Sequence, residues 1–178
     1  MASSVPHWFL VKRNWPGIKA RFPHYAGLGG EVWPFNPDGT TDKQLRDLHS
    51  RMEHSRTIVD FGLDSGFVCT DATIAEEYFA AMKAYYGEAW LVQASLQGGA
   101  SSQTAGFDIG FATGGYSVIE TELMTEGMEG PSLNEWGLIE TLPEALAYLD
   151  ARKDNERLEQ LDEIIIISID IIHEDHSA

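Results

Sequence analysis

Ile164-Ile165-Ile166-Ile167-Ser168-Ile169-Asp170-Ile171-Ile172 has seven isoleucines broken only by Ser168 and Asp170, and sets the architecture of the chain around it. Ile165, Ile167, Ile169 and Ile171 fall on one face, while the other face includes Ser168 and Asp170. β-Branched side chains lose rotamer freedom in a helix and stand well on a pleated surface, so the run predicts a strand with one fully buried side, inside a sheet. Ala89 to Gln97 alternates in the same way, with Trp90, Val92, Ala94 and Leu96 opposed to Gln93, Ser95 and Gln97, and predicts a half-buried strand.

Outward from these two, the chain intermixes strand and helix signals. His7 to Arg13 and Ile18 to Phe22 flank the turn signal Asn14-Trp15-Pro16-Gly17 and predict a β-hairpin with one wet face. Pro23 to Gly39 combines prolines and glycines with Tyr25, Trp33 and Phe35, which suits a long ordered loop. A helix is expected from Thr41-Asp42 to Arg56, with Leu45, Leu48 and Met52 at helical spacing, and another from Asp71 or Thr73 to the stop at Gly87. Ile58 to Asp60, Gly66 to Thr70, Phe107 to Phe111 and Tyr116 to Thr121 read as short strands, and Glu122 to Gly137 as irregular. Thr141-Leu142-Pro143-Glu144 opens a helix that continues to about Arg152. Regular strand-helix-strand spacing is missing. The expected architecture is therefore α+β: one domain over residues 1–178, a mostly antiparallel sheet with about three helices packed on it, and frayed ends at 1–6 and 174–178.

Composition bounds the function. The chain has 178 residues, a net charge of −16 and 43% hydrophobic residues, which describes a folded acidic protein able to bury a core without cross-links. The single cysteine, Cys69, sits in an apolar phrase and suggests a buried thiol in a reducing compartment. No secretory signal opens the chain and no stretch is long enough to span a bilayer, so a cytoplasmic protein is expected. Charge is unevenly placed: residues 1–30 hold Lys12, Arg13, Lys19 and Arg21 and no acid, whereas Glu120 to Ala178 holds sixteen acids against three basic residues. Such a field repels nucleic acid and anionic membrane and attracts basic protein surfaces. Four N-terminal cations with Trp8, Trp15 and Phe22 do not supply a basic groove on so acidic a chain.

Catalytic patterns are sparse. His49 and His54 lie five apart and would project about 140° apart on a helix, which is wrong for a shared metal. His173-Glu174-Asp175-His176 has ligand-type residues but lies at a chain end. Asp60, Asp64 and Asp71 surround a glycine-bearing phrase and offer an enzymatic alternative, a small carboxylate-dependent hydrolase or transferase, although turn and cap chemistry accounts for them more simply. Nucleophile elbow, phosphate loop, dinucleotide fingerprint and zinc motifs are missing, and no cofactor or metal is expected. In contrast, Glu120, Glu122, Glu126, Glu129, Glu135 and Glu140 are interleaved with Met124, Met128, Leu133 and Trp136 without one basic residue. Same-sign charge around apolar and aromatic anchors is the pattern of an interface for a cationic cleft.

Gly106-Phe107-Asp108-Ile109-Gly110, Gly114-Gly115-Tyr116-Ser117-Val118-Ile119-Glu120, Leu133-Asn134-Glu135-Trp136-Gly137-Leu138-Ile139 and the helix Glu144 to Arg152 resemble the C-terminal half of small acidic immunity proteins encoded beside bacterial polymorphic or secreted toxins. The resemblance covers the last 90 residues or so. It implies a cytoplasmic antidote, not an enzyme, that binds a cognate toxin with a basic surface and occludes its active-site cleft. From the residues themselves, the expected contact set is Tyr116, Glu120, Glu122, Glu126, Glu129, Glu135, Trp136 and Glu140, acids for steering and the Trp for anchoring. A phage-type nucleic-acid mimic, with carboxylates at phosphate-like intervals, is a further alternative.

Overall fold

The isoleucine run forms a central strand, β6 (Ile164–His173), in a four-stranded antiparallel sheet. The structure is a computed structural model that describes residues 6–14, 16–28, 43–60, 65–96, 101, 103–111, 117–124, 130–152 and 164–173. The sheet runs β1 (His7–Lys12), β4 (Trp90–Leu96), β6, β5 (Thr104–Phe111). Register places Leu10 opposite Val92, Ala94 opposite Ile169, and Asp108 opposite Ile167. A second sheet has two strands, β2 (Arg56–Asp60) and β3 (Ser65–Cys69).

Five helices lie among the described residues, against the three or so expected: α1 (Pro16–Arg21), α2 (Lys43–His54), α3 (Ala72–Tyr86), α4 (Val118–Met124) and α5 (Leu142–Asp150). The α+β architecture with a mostly antiparallel sheet is as expected. Helix ends follow local chemistry. Asp71 caps α3, its carboxylate accepting from Ile74 N–H at 3.1 Å, and Gly87 ends it in the left-handed region at φ 79°. Thr141 and Glu144 close a reciprocal capping box on α5, with Pro143 in its first turn. Asp42, the expected cap of α2, lies outside the described residues.

Two elements differ from the sequence-based expectation. Residues 16–21 form a helix and not the second strand of a hairpin, because Pro16 has the φ of a first helical position and β1 finds its hydrogen bonds in β4, far along the chain. Residues 117–121 likewise are not a strand. Ser117 makes one bridge to Gly110, then its hydroxyl accepts Glu120 N–H at 3.0 Å and starts α4, which carries Val118 and Ile119 inward.

Both faces of the sheet are covered. On one side Trp8, Leu10, Val92, Ala94, Ile167 and Ile169 pack with Ala26, Leu28, Val68 and Leu138. On the other, Phe9, Val11 and Leu91 meet α2 and α3, while Phe107, Ile109, Ile164 and Ile166 meet α4 and α5. The second face of β6, expected to be the wetter one, is therefore buried at Ile164, Ile166 and Ser168. Alternation reports a wet face only when nothing packs on it.

Candidate functional site

Strand alternation carries Lys12 and Asp108 to the same sheet face as Leu10 and Ile167, where both are buried, at 0% and 1% exposure. A strap, residues 22–28, crosses above them. The Lys12 ammonium donates to the Gly27 carbonyl, and the N–H of that same peptide unit, belonging to Leu28, donates to Asp108 Oδ2 at 2.5 Å. One peptide dipole thus lies between a buried cation and a buried anion, oriented to favour both. Asp108 Oδ1 also accepts from Ile109 N–H at 2.7 Å and from the Ser117 hydroxyl at 2.8 Å.

The Tyr25 ring sits 4.5 Å from Lys12 Nζ and is itself fully buried. Glycines make room for it. A Cβ on Gly27 would strike the Tyr25 phenol and come within 2.8 Å of Asp108 Oδ2, and one on Gly137, which has φ +69°, would strike the Tyr25 ring. Burial lowers the Lys12 ammonium from its ordinary value to about 7, opposed by the charges of Asp108 and Glu120. Burial raises the Asp108 carboxyl, opposed by its three donors and by Lys12.

The expected contact residues are not all presented to solvent. Glu122 is buried, accepting from Arg152 Nε at 2.6 Å, from Arg152 Nη2 at 2.7 Å and from the Tyr148 hydroxyl. The Arg152 guanidinium also lies 3.5 Å from the Tyr148 ring centroid. Glu122 therefore ties α4 to α5 and leaves the contact set, since a buried carboxylate needs such a partner. Glu120 is half-buried and contributes to the field at Lys12.

Glu135 and Glu140 are exposed and make no ion pair among the described residues. They flank Trp136, which is half-buried, packs on the core and meets the His24 ring edge-on at 5.8 Å. Asn134 shapes this turn, its Oδ1 accepting the N–H groups of Trp136 and Leu138 at 3.0 and 3.1 Å. The Trp136 carbonyl accepts Ala26 N–H at 2.9 Å, which ties the turn to the strap. Next along the chain, Pro143, Leu146, Ala147 and Asp150 form the exposed face of α5, with Leu146 43% exposed. Tyr116, Glu126 and Glu129 lie outside the described residues.

The other candidate groups are dispersed. His49 packs beside Tyr78, His54 bonds the Ser50 carbonyl, and His173 stacks on Phe79 and meets Glu76, so no two of these share a site. Among the described residues no three metal-ligating side chains converge. Asp71 is spent on its cap, Asp60 ends β2, and Asp64 lies outside the described residues. A cleft of about 370 Å³ opens between Lys19, His24, Tyr86, Glu88 and Trp90, where the Lys19 ammonium is bonded to Glu88. It contains none of the carboxylates behind the enzymatic alternative.

Sequence reasoning missed the buried Lys12 and Asp108. The signal at Lys12 was parity, since it continues the alternation of apolar Trp8 and Leu10; Asp108, with Gly106 and Gly110 on its own face, showed only as a lone charge in the apolar phrase Phe107-Asp108-Ile109. The chain matches no protein-family model, no curated protein and no solved structure.

Proposed function

We propose that this protein is a non-enzymatic, cytoplasmic immunity protein that neutralises a cationic toxin by laying its acidic surface over the toxin's active-site cleft. The supporting observation is the exposed pair Glu135 and Glu140 on either side of Trp136, without an ion pair among the described residues, within a stretch from Ala84 to Ala151 that has ten acids and no Lys, Arg or His. Charge of one sign around an aromatic group favours fast approach of a basic partner and slow departure. The exposed α5 face with Leu146 extends the surface with apolar area. No helix among the described residues is long and apolar enough to cross a membrane. The contact set in this reading is Glu135, Trp136, Glu140 and the outward face of α5.

The test is to read the adjoining reading frames for a large secreted protein with a basic C-terminal domain and to co-express that domain with this chain, followed by binding kinetics across a salt series; neighbours without such a domain count against the proposal. The wild-type chain is expected to restore growth and form a complex. Glu135→Lys with Glu140→Lys, at exposed positions that make no ion pair among the described residues, should slow association by roughly tenfold at low salt and flatten its salt dependence. An association rate that ignores both the reversals and the salt rejects the docking surface.

A further inference from the structure

One buried carboxylate holds two segments that are distant in sequence. Asp108 Oδ2 takes Leu28 N–H at the end of the strap, while Oδ1 takes the Ser117 hydroxyl, whose oxygen in turn caps α4 through Glu120 N–H. Lys12 completes the arrangement by holding the Gly27 carbonyl from the other end of the same peptide unit. Titratable groups that face Lys12 include Asp108 from β5, Glu120 from α4 and Tyr25 from the strap. Trp90, its register partner on β4, brings no charge. Lifting the strap admits water to Lys12 and Asp108 together, and removes a donor from the anion that also anchors the start of α4.

We propose that the strap and the first turn of α4 form a proton-linked latch, in which the two segments open together and opening takes up a proton at Lys12. In the closed state burial holds Lys12 at about 7, whereas the solvated side chain of the open state returns to its ordinary 10.5. Between those values the open state binds more protons than the closed one, so raising the pH disfavours opening by up to about tenfold for each pH unit. Below about 7 both states hold the proton and Lys12 adds no further dependence. Asp108 acts in the opposite sense: its closed-state carboxyl is raised by burial, so wherever the closed form is protonated and the open form is not, opening releases a proton and is disfavoured as pH falls.

Amide hydrogen exchange of the full chain at pH 7, 8 and 9, corrected for intrinsic exchange, reads this directly. The reporters are Ala26 and Leu28 in the strap, and Glu120 and Thr121 in α4, all of whose N–H groups are bonded. Their protection should rise together by about fivefold from pH 7 to 8 and about ninefold from pH 8 to 9, with no parallel rise in β4 and β6. Lys12→Met should abolish the slope. Lys12→Arg, which keeps a charge that does not titrate in this range, should abolish it too. The latch is overturned by a flat wild-type profile, by a slope in the strap without one in α4, by an equal slope throughout the core, or by a slope that survives either substitution. Should both variants fail to fold, the wild-type comparison of strap, α4 and core still decides. No partner enters the measurement, so its outcome is independent of the docking proposal.

Discussion

Lys12 and Asp108 are the residues on which the interior turns. Each would be costly to bury alone, and the Gly27–Leu28 peptide, the Ser117 hydroxyl and the Ile109 N–H remove most of that cost by supplying hydrogen bonds to both charges. Asp108→Ala should therefore destabilise the fold by about 3 kcal/mol or more in a urea melt, because Lys12 is left buried without its counter-charge. Lys12→Met should cost less on the Asp108 side, where three donors remain. Removing both charges should cost less than the two single losses added together, and strict additivity in that cycle would show that the pair is not coupled. Glu122 makes the same point from the other direction. It looked like one more acid in an acidic stretch, yet Arg152 and Tyr148 hold it in the interior. A charge run does not reveal which of its members has a partner waiting 30 residues away.

At the scale of elements, the legible ones carried their own stop and start signals. α3 begins at Asp71 and ends at Gly87, and α5 begins at the Thr141–Glu144 box, all of which depend on residues within four positions of each other. Thr141→Ala should lower stability by about 1 kcal/mol in the same urea melt, and an unchanged midpoint would mean that the box contributes nothing beyond solvent bonding. β4 and β6 were legible because alternation and β-branching survive any choice of partner. α1 and α4 were not. Ile18-Lys19-Ala20-Arg21-Phe22 alternates as a strand would, and Val118-Ile119 is β-branched, but whether either segment pairs depends on a free strand edge nearby. β1 is already paired with β4, and Ser117 turns the chain into a helix after a single bridge to β5.

Across the whole molecule, acidity and burial act on stability in separable ways. Lys12 has its folded-state value depressed to about 7 against 10.5 when solvated, so between these the unfolded chain binds more protons and its contribution to stability grows with pH. Relative to Lys12→Met, the wild-type protein should gain up to about 1.4 kcal/mol per pH unit from pH 7 toward 9, read from urea midpoints in parallel titrations. A difference that stays constant over that range would mean Lys12 is solvated in the native state. Salt acts elsewhere: exposed Glu135 and Glu140 are screened, while the buried pair is little affected. Helices α2 to α5 all packing on one face of the sheet also explain why the second face of β6 is dry, which no reading of that strand in isolation contains.

The α+β class, the two inner strands, the capped ends of α3 and α5, and a long stretch with acids and no bases are all legible from the residues alone, because each rests on side chains close together in the chain. Tertiary structure alone decided that β1 joins β4, that 16–21 and 118–124 are helices, that Glu122 is internal, and that Lys12 and Asp108 share one peptide between them. Those outcomes depend on partners brought together from tens of residues away. Pairing, desolvation and hydrogen-bond satisfaction are properties of the packed neighbourhood, and they override local preference wherever the two disagree.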